Sequence, residues 1–105
     1  MFSKIKSLEG KTLFTLDKKK EFTIQSVNQN RIRVYVHSTN KYRSFSLISV
    51  EQAYAKLVKE KQISQREIDT YFAQQNSSYT LAIIAKITNS SFFKKDRAAN
   101  IRLNE

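Results

Sequence analysis

The stretch that decides the fold is Arg31-Ile32-Arg33-Val34-Tyr35-Val36-His37. In a β-strand, successive side chains point to opposite faces of the sheet. Ile32, Val34 and Val36 therefore share one face, which can enter a hydrophobic core. The other face carries the remaining four side chains, Arg31, Arg33, Tyr35 and His37. The pattern predicts a half-buried strand whose exposed face presents guanidinium groups beside aromatic rings.

The same period-two alternation continues on both sides of this stretch. It predicts strands at residues 12–16, 21–27, 31–37 and 42–47, separated by short charged or Asn-rich turns. Val27 falls out of phase with the rest of its strand, which predicts a β-bulge near Ser26. Because the spacers are short, we expect an antiparallel meander.

After residue 47 the apolar spacing becomes helical. It predicts a first helix at residues 50–60 capped by Ser49, and a second at 65–74 opened by a Ser64/Glu67 capping box. A third helix, capped by Ser77 or Ser78, is apolar nearly all round, which predicts burial. We therefore expect one α+β domain over residues 1–88, an antiparallel meander of three to four strands followed by three helices packed on one face.

Residues 89–105 are the least decided part of the chain, and we expect them to form a basic C-terminal tail. They pair two aromatic residues with a cluster of cations. Three alternatives stay open: docking through the aromatics with a mobile basic end, a short final helix, or pairing with another copy of the chain. A homodimer that buries Phe92 and Phe93 is the simplest form of the last alternative. With the apolar third helix, these aromatics also leave open a second function, a protein-interaction or assembly module that acts as a homo-oligomer or accessory subunit.

The chain of 105 residues carries a formal net charge of +10, and residues 1–47 hold ten Lys or Arg against three Asp or Glu. Such an excess attracts polyanions. With no cysteine, disulfides and thiolate metal sites are excluded. No segment has transmembrane length and the N-terminus lacks a long apolar region, so we expect neither a membrane span nor a signal peptide. The absence of cysteine favours a reducing cytoplasm. No predicted helix combines a broad apolar face with a basic one, so we expect no association with a membrane surface.

The basic residues of the predicted sheet are candidates for contact with DNA or RNA. We expect phosphate contacts from the cations of the third and fourth strands and stacking or hydrogen bonds from the neighbouring rings. The Lys18-Lys19-Lys20 turn is a further candidate for phosphate contact and adds to the positive electrostatic field of the protein. The alternative is a solvated sheet with lysines that protect its edges. The phosphate candidates are Arg31, Arg33, Lys41 and Arg43, and the ring candidates are Tyr35, Tyr42 and His37.

Two other functions have less support. Residues 63–87 loosely fit a helix-turn-helix, but the helix that would enter the major groove carries one Lys and no Arg. Catalysis lacks a residue set: His37 is the only histidine and Gly10 the only glycine, so neither a His/Cys zinc site nor a glycine-rich phosphate loop can form. We expect no enzymatic activity, metal or cofactor.

Four short motifs resemble a small module found in bacterial restriction and mobile-element systems. They are Gly10-Lys11, Lys20-Glu21-Phe22-Thr23-Ile24, Lys41-Tyr42-Arg43 before a capped helix, and Ser78-Tyr79 followed by Ala82-Ile83-Ile84. The resemblance covers residues 10–87. It implies a compact accessory domain with a nucleic-acid context and no catalytic residue.

Overall fold

The computed structural model describes residues 2–73 and 75–104. The chain begins with a short helix and a block of four strands, continues with three helices and one short strand, and ends with two strands. In chain order the elements are α1 Phe2–Lys6, β1 Thr12–Phe14, β2 Glu21–Val27, β3 Arg31–Val36, β4 Lys41–Ser46, α2 Leu47–Glu60, β5 Gln62–Ser64, α3 Gln65–Tyr71, α4 Ser77–Ile87, β6 Ser90–Lys95 and β7 Ala98–Leu103.

The predicted meander is confirmed. The first sheet has the order β1-β2-β3-β4, and all its pairings are antiparallel. The register shifts between Ile24 and Ser26, which is the bulge that the phase of Val27 predicts. Because the bulge restores the phase, Val27 is buried together with Ile32 and Val34. One face of β2 and β3 therefore enters the core along its whole length, and β4 contributes Phe45 to it.

Helix α2 begins at Leu47 rather than at residue 50. Leu47 is buried and its N–H donates to the Asn30 carbonyl at 3.0 Å, so the chain passes directly from β4 into the helix. Ser49 lies inside the first turn and does not cap it. The predicted capping box of α3 is confirmed, since the Glu67 N–H donates to Ser64 Oγ at 3.0 Å and the Ser64 N–H donates to Glu67 Oε1 at 3.1 Å. Helix α3 ends at Tyr71, earlier than predicted.

Helix α4 is buried, as its apolar composition predicts. It contacts β1 of the first sheet and β6, and α2 contacts strands of both sheets, so these helices lie between two sheets. The Tyr79 ring meets the Phe22 ring edge to face at 5.1 Å, which joins α4 to the first sheet. None of the helices in the described residues combines the length and apolar character needed to cross a bilayer.

Two of the three strands of the second sheet come from the segment for which the sequence leaves three alternatives. The described part of residues 89–105 forms the β6–β7 hairpin, and β7 also pairs with β5, giving the order β5-β7-β6. Ile101 is fully buried and Ala99 and Asn100 are nearly so. This segment is therefore part of the packed structure and not a free tail. The short helix α1 was not predicted either.

Candidate nucleic-acid interface

The first sheet has an outer face, which we define as the side pointing away from the helices. Its members follow from the register, because directly opposed residues of antiparallel strands share a face. Thr23 pairs with Tyr35, Arg33 with Ser44 and Tyr35 with Tyr42. The outer face comprises Thr12, Phe14, Glu21, Thr23, Ser26, Arg31, Arg33, Tyr35, His37, Tyr42, Ser44 and Ser46.

Aromatic rings form a row across the centre of the outer face. The ring centroids of Tyr42 and Tyr35 are 5.1 Å apart at 60°, and those of Tyr35 and His37 are 5.1 Å apart at 80°. The guanidinium of Arg33 lies 4.3 Å from the centroid of Tyr42, within cation–π range. The Tyr42 side chain is 49% exposed, whereas Tyr35 is half-buried between its neighbours and donates its hydroxyl to Asn40 Oδ1 at 2.6 Å.

Both arginines of the outer face are held by neutral groups. Arg31 donates from Nε to Ser44 Oγ at 2.8 Å and from Nη2 to the Ser44 carbonyl at 3.0 Å. Arg33 rests on the Tyr42 ring. Among the described residues neither guanidinium forms an ion pair. Ser44 and Tyr42 therefore fix the direction of two exposed cations without neutralising them.

His37 lies at one end of the aromatic row and is held there by hydrogen bonding. Its Nε2 lies 2.8 Å from Thr23 Oγ1, which in turn lies 2.8 Å from Thr12 Oγ1. Its Nδ1 lies 3.9 Å from Glu21 Oε1, which is an ion pair only when the imidazole is protonated. The histidine is thus held in place by its neighbours, and the nearby carboxylate makes this end of the outer face less basic than the end at Arg31.

Lys41 and Arg43 do not belong to the outer face, contrary to the grouping made from the sequence. They pair with Val36 and Val34, and so lie on the side of the helices. Arg43 Nη1 donates to the Gln75 carbonyl at 2.8 Å and to Asn76 Oδ1 at 3.2 Å. Its guanidinium also lies 5.7 Å from the Tyr79 ring. Arg43 therefore attaches the segment before α4 to the edge of the sheet.

The Lys18-Lys19-Lys20 turn also lies apart from the outer face. The hydroxyl of buried Thr15 accepts the Lys20 N–H at 2.9 Å and shapes this turn. Lys18 and Lys20 line a cavity with residues of α3 and α4. Lys19 Nζ lies 5.8 Å from the Phe92 ring of β6. The cations of residues 1–47 are consequently spread over several sides of the molecule, and only Arg31 and Arg33 lie on the outer face.

The candidate dimer residues Phe92 and Phe93 do not form a single patch. They are consecutive in β6 and pair with Ile101 and Asn100, so their side chains point to opposite faces of the second sheet. Phe92, 41% exposed, lies beside Lys19, whereas the Phe93 ring lies 4.8 Å from the Arg102 guanidinium. A dimer interface on one face of the second sheet can therefore bury only one of these two rings.

Sequence reasoning missed one aromatic residue of the outer face. Phe14 pairs with Glu21, in phase with Thr12, and is 52% exposed at the edge strand. The alternation in Thr12-Leu13-Phe14 carried the signal, because burying Leu13 turns Phe14 outward. Gln25, the residue at the bulge, also reaches this face, and its Nε2 lies 3.5 Å from the Tyr42 hydroxyl.

Comparison with protein-family models, with curated proteins and with solved structures finds no match for this chain. Within residues 2–73 and 75–104, no three His, Asp or Glu side chains come together as a group that could hold a metal ion. The function is therefore argued from the chemistry of the surface itself.

Proposed function

We propose that this protein binds nucleic acid through the outer face of the first sheet, with low sequence selectivity and without catalysis, in the cytoplasm. The observation that carries the proposal is the guanidinium of Arg33 held 4.3 Å above the exposed ring of Tyr42. The pair offers one cation for a phosphate and one ring for a base. Arg31 places a second cation on the same strand, two residues away and on the same face.

The ligand class follows from the two kinds of group present. A planar guanidinium matches the geometry of phosphate oxygens, and contacts of this kind position a protein on a nucleic acid without sequence information. An exposed aromatic ring accepts any unpaired base by stacking. Four-stranded sheets that present aromatic side chains bind single strands in this way. Bases in a duplex are already stacked, so we expect a preference for single strands of DNA or RNA.

The rest of the charge contributes at long range. A net charge of +10 raises the rate of encounter with any polyanion, although most of these cations do not touch a ligand on the outer face. The affinity of the bound complex depends instead on the counterions that directly contacting cations release. The two contributions can be separated, because counterion release depends on where a cation lies on the surface, whereas the encounter rate depends mainly on the net charge.

Salt dependence of binding tests the phosphate contacts. We compare Arg31→Gln/Arg33→Gln with a control of equal charge, Lys4→Gln/Lys59→Gln, whose exposed cations lie on α1 and α2. Loss of two phosphate contacts on a single strand flattens the slope of log K against log salt concentration by about 1.4. The control leaves the slope unchanged. Equal slopes for the two double variants refute the assignment to the outer face.

Stacking is tested with Tyr42→Leu and the control Tyr71→Leu, which changes another exposed tyrosine on α3. One stacked base contributes about 1–3 kcal/mol. Tyr42→Leu is expected to weaken single-strand binding by this amount and duplex binding far less, while Tyr71→Leu changes neither. If Tyr42→Leu weakens binding to single strand and duplex equally, the ring does not stack on a base.

A further inference from the structure

A basic cleft lies on the side of the molecule that carries the helices, apart from the outer face. It consists of two adjoining cavities, of about 370 and about 200 Å³, which share Asp17 and Gln65 in their linings. The larger falls within the range of small-ligand sites. Four parts of the chain line the cleft: the β1–β2 turn, the start of α3, the first turn of α4 and the β6–β7 turn.

Cations outnumber carboxylates in this cleft. Arg66 and Arg97 line the larger cavity together with Asp17 and Asp69, and Lys18 and Lys20 line the smaller one together with Asp17. Both carboxylates already have partners. Asp69 Oδ1 accepts from the Gln75 N–H at 2.9 Å and from Ser77 Oγ at 3.4 Å. Asp17 Oδ1 lies 3.3 Å from Lys94 Nζ, a cation outside the lining.

The hairpin between β6 and β7 delivers Arg97 to the cleft at a conformational cost. Asp96 and Arg97 form its two-residue turn, with φ angles of 52° and 65°. Such turns favour glycine at the second position, since a side chain is disfavoured at positive φ. Arg66 Nη2 donates to the Asp96 carbonyl at 3.1 Å and holds the turn against α3. Among the described residues Arg97 has no hydrogen-bond or ion-pair partner, which leaves its guanidinium for a ligand.

We infer that the basic cleft binds a phosphate group, with Arg97, Lys18 and Lys20 as its cationic contacts. Arg97 approaches the cleft from the larger cavity and Lys18 and Lys20 approach it from the smaller one. A phosphate carries up to two negative charges and several acceptor oxygens, so it suits cations on two sides of a cleft better than a ligand with a single carboxylate does. Ser78 and Gln65 add polar groups to the lining. This site does not depend on the outer face, because the two share no residue.

The test measures binding of inorganic phosphate by calorimetry and by the rise in melting temperature, against chloride and acetate at equal ionic strength. The key variant is Arg97→Gly, which removes the guanidinium and suits the positive φ of the turn. It is expected to melt at or above the temperature of the wild type and to bind phosphate about tenfold more weakly, the loss of one charge-assisted contact. Lys18→Gln/Lys20→Gln gives a second, independent loss, and Arg31→Gln/Arg33→Gln on the outer face changes nothing.

Two oligonucleotides identify the source of the phosphate. If only a 5′-phosphorylated strand binds in an Arg97-dependent manner, the cleft holds a terminal phosphate. If phosphorylated and unphosphorylated strands bind alike and both depend on Arg97, it holds a backbone phosphate. The inference is overturned if Arg97→Gly and Lys18→Gln/Lys20→Gln both bind phosphate as the wild type does, or if acetate binds as well as phosphate.

Discussion

Replacing Arg43 by Gln is expected to lower stability and to leave nucleic-acid binding intact. The guanidinium makes two hydrogen bonds, to the Gln75 carbonyl and to Asn76 Oδ1, and lies 5.7 Å from the ring of Tyr79. Because the side chain is exposed, each contact contributes at the low end of its range, and together they contribute about 1–2 kcal/mol. Unfolding entropy near 2.1 cal/mol/K per residue over 105 residues converts this loss into a melting temperature about 5–9 °C lower.

The assay combines thermal unfolding, followed by circular dichroism, with binding of a fluorescent single strand well below the melting temperature. Arg33→Gln is the matched control, since it removes the same charge from the neighbouring strand but from the outer face. We expect it to weaken binding and to lower stability less than Arg43→Gln does, because among the described residues it removes one cation–π contact and no hydrogen bond. The reasoning is refuted if Arg43→Gln has the melting temperature of the wild type and loses as much affinity for the single strand as Arg33→Gln does.

Two further predictions concern stability. The buried Thr80 hydroxyl has no hydrogen-bond partner among the described residues, so Thr80→Val is expected to raise the free energy of unfolding by about 1 kcal/mol in a denaturant titration; a lower value would show that the hydroxyl is satisfied. The hydrogen bond from Lys6 Nζ, and after it the one from the Val27 N–H, lowers the pKa of Glu9 below 4.5. The ionised Glu9 carboxylate therefore contributes stability above pH 4.5, and this contribution is lost as the pH falls through the folded-state pKa. Glu9→Gln should therefore reduce the loss of stability below pH 4.5 in an acid titration, and an unchanged acid curve would contradict this.

Local alternation predicted the first sheet well because one of its faces is buried. In Arg31 to Val36 each inward residue is apolar and each outward one polar or aromatic, so the phase leaves no ambiguity. The same rule already contained the correct position of Arg43. Because Phe45 points inward, alternation puts Arg43 on the same inward side. The assignment of Arg43 to the outer face rests only on its being charged.

The second sheet is not visible to the same reasoning. Strand β5 has three residues, and the β6–β7 turn uses Asp96 and Arg97 where a glycine would mark a hairpin. The position of the Lys18-Lys19-Lys20 turn depends in addition on this sheet, since Lys19 lies over Phe92. Long-range packing of this kind leaves no periodic signal, so the sequence alone predicts a tail for the C-terminal segment.

The separation of the outer face from the basic cleft makes the salt slope of the wild type diagnostic. Two contacting arginines predict a slope near −1.4 on a single strand, and each further cation in contact adds about −0.7. A slope near −1.4 that disappears in Arg31→Gln/Arg33→Gln assigns the whole electrostatic contribution to the outer face. A steeper slope, with a remainder that Lys18→Gln/Lys20→Gln removes, means that the strand also reaches the cleft. If neither double variant flattens the slope, the assignment of phosphate contacts to the outer face is wrong, the strand does not reach Lys18 and Lys20, and the net charge acts only at long range.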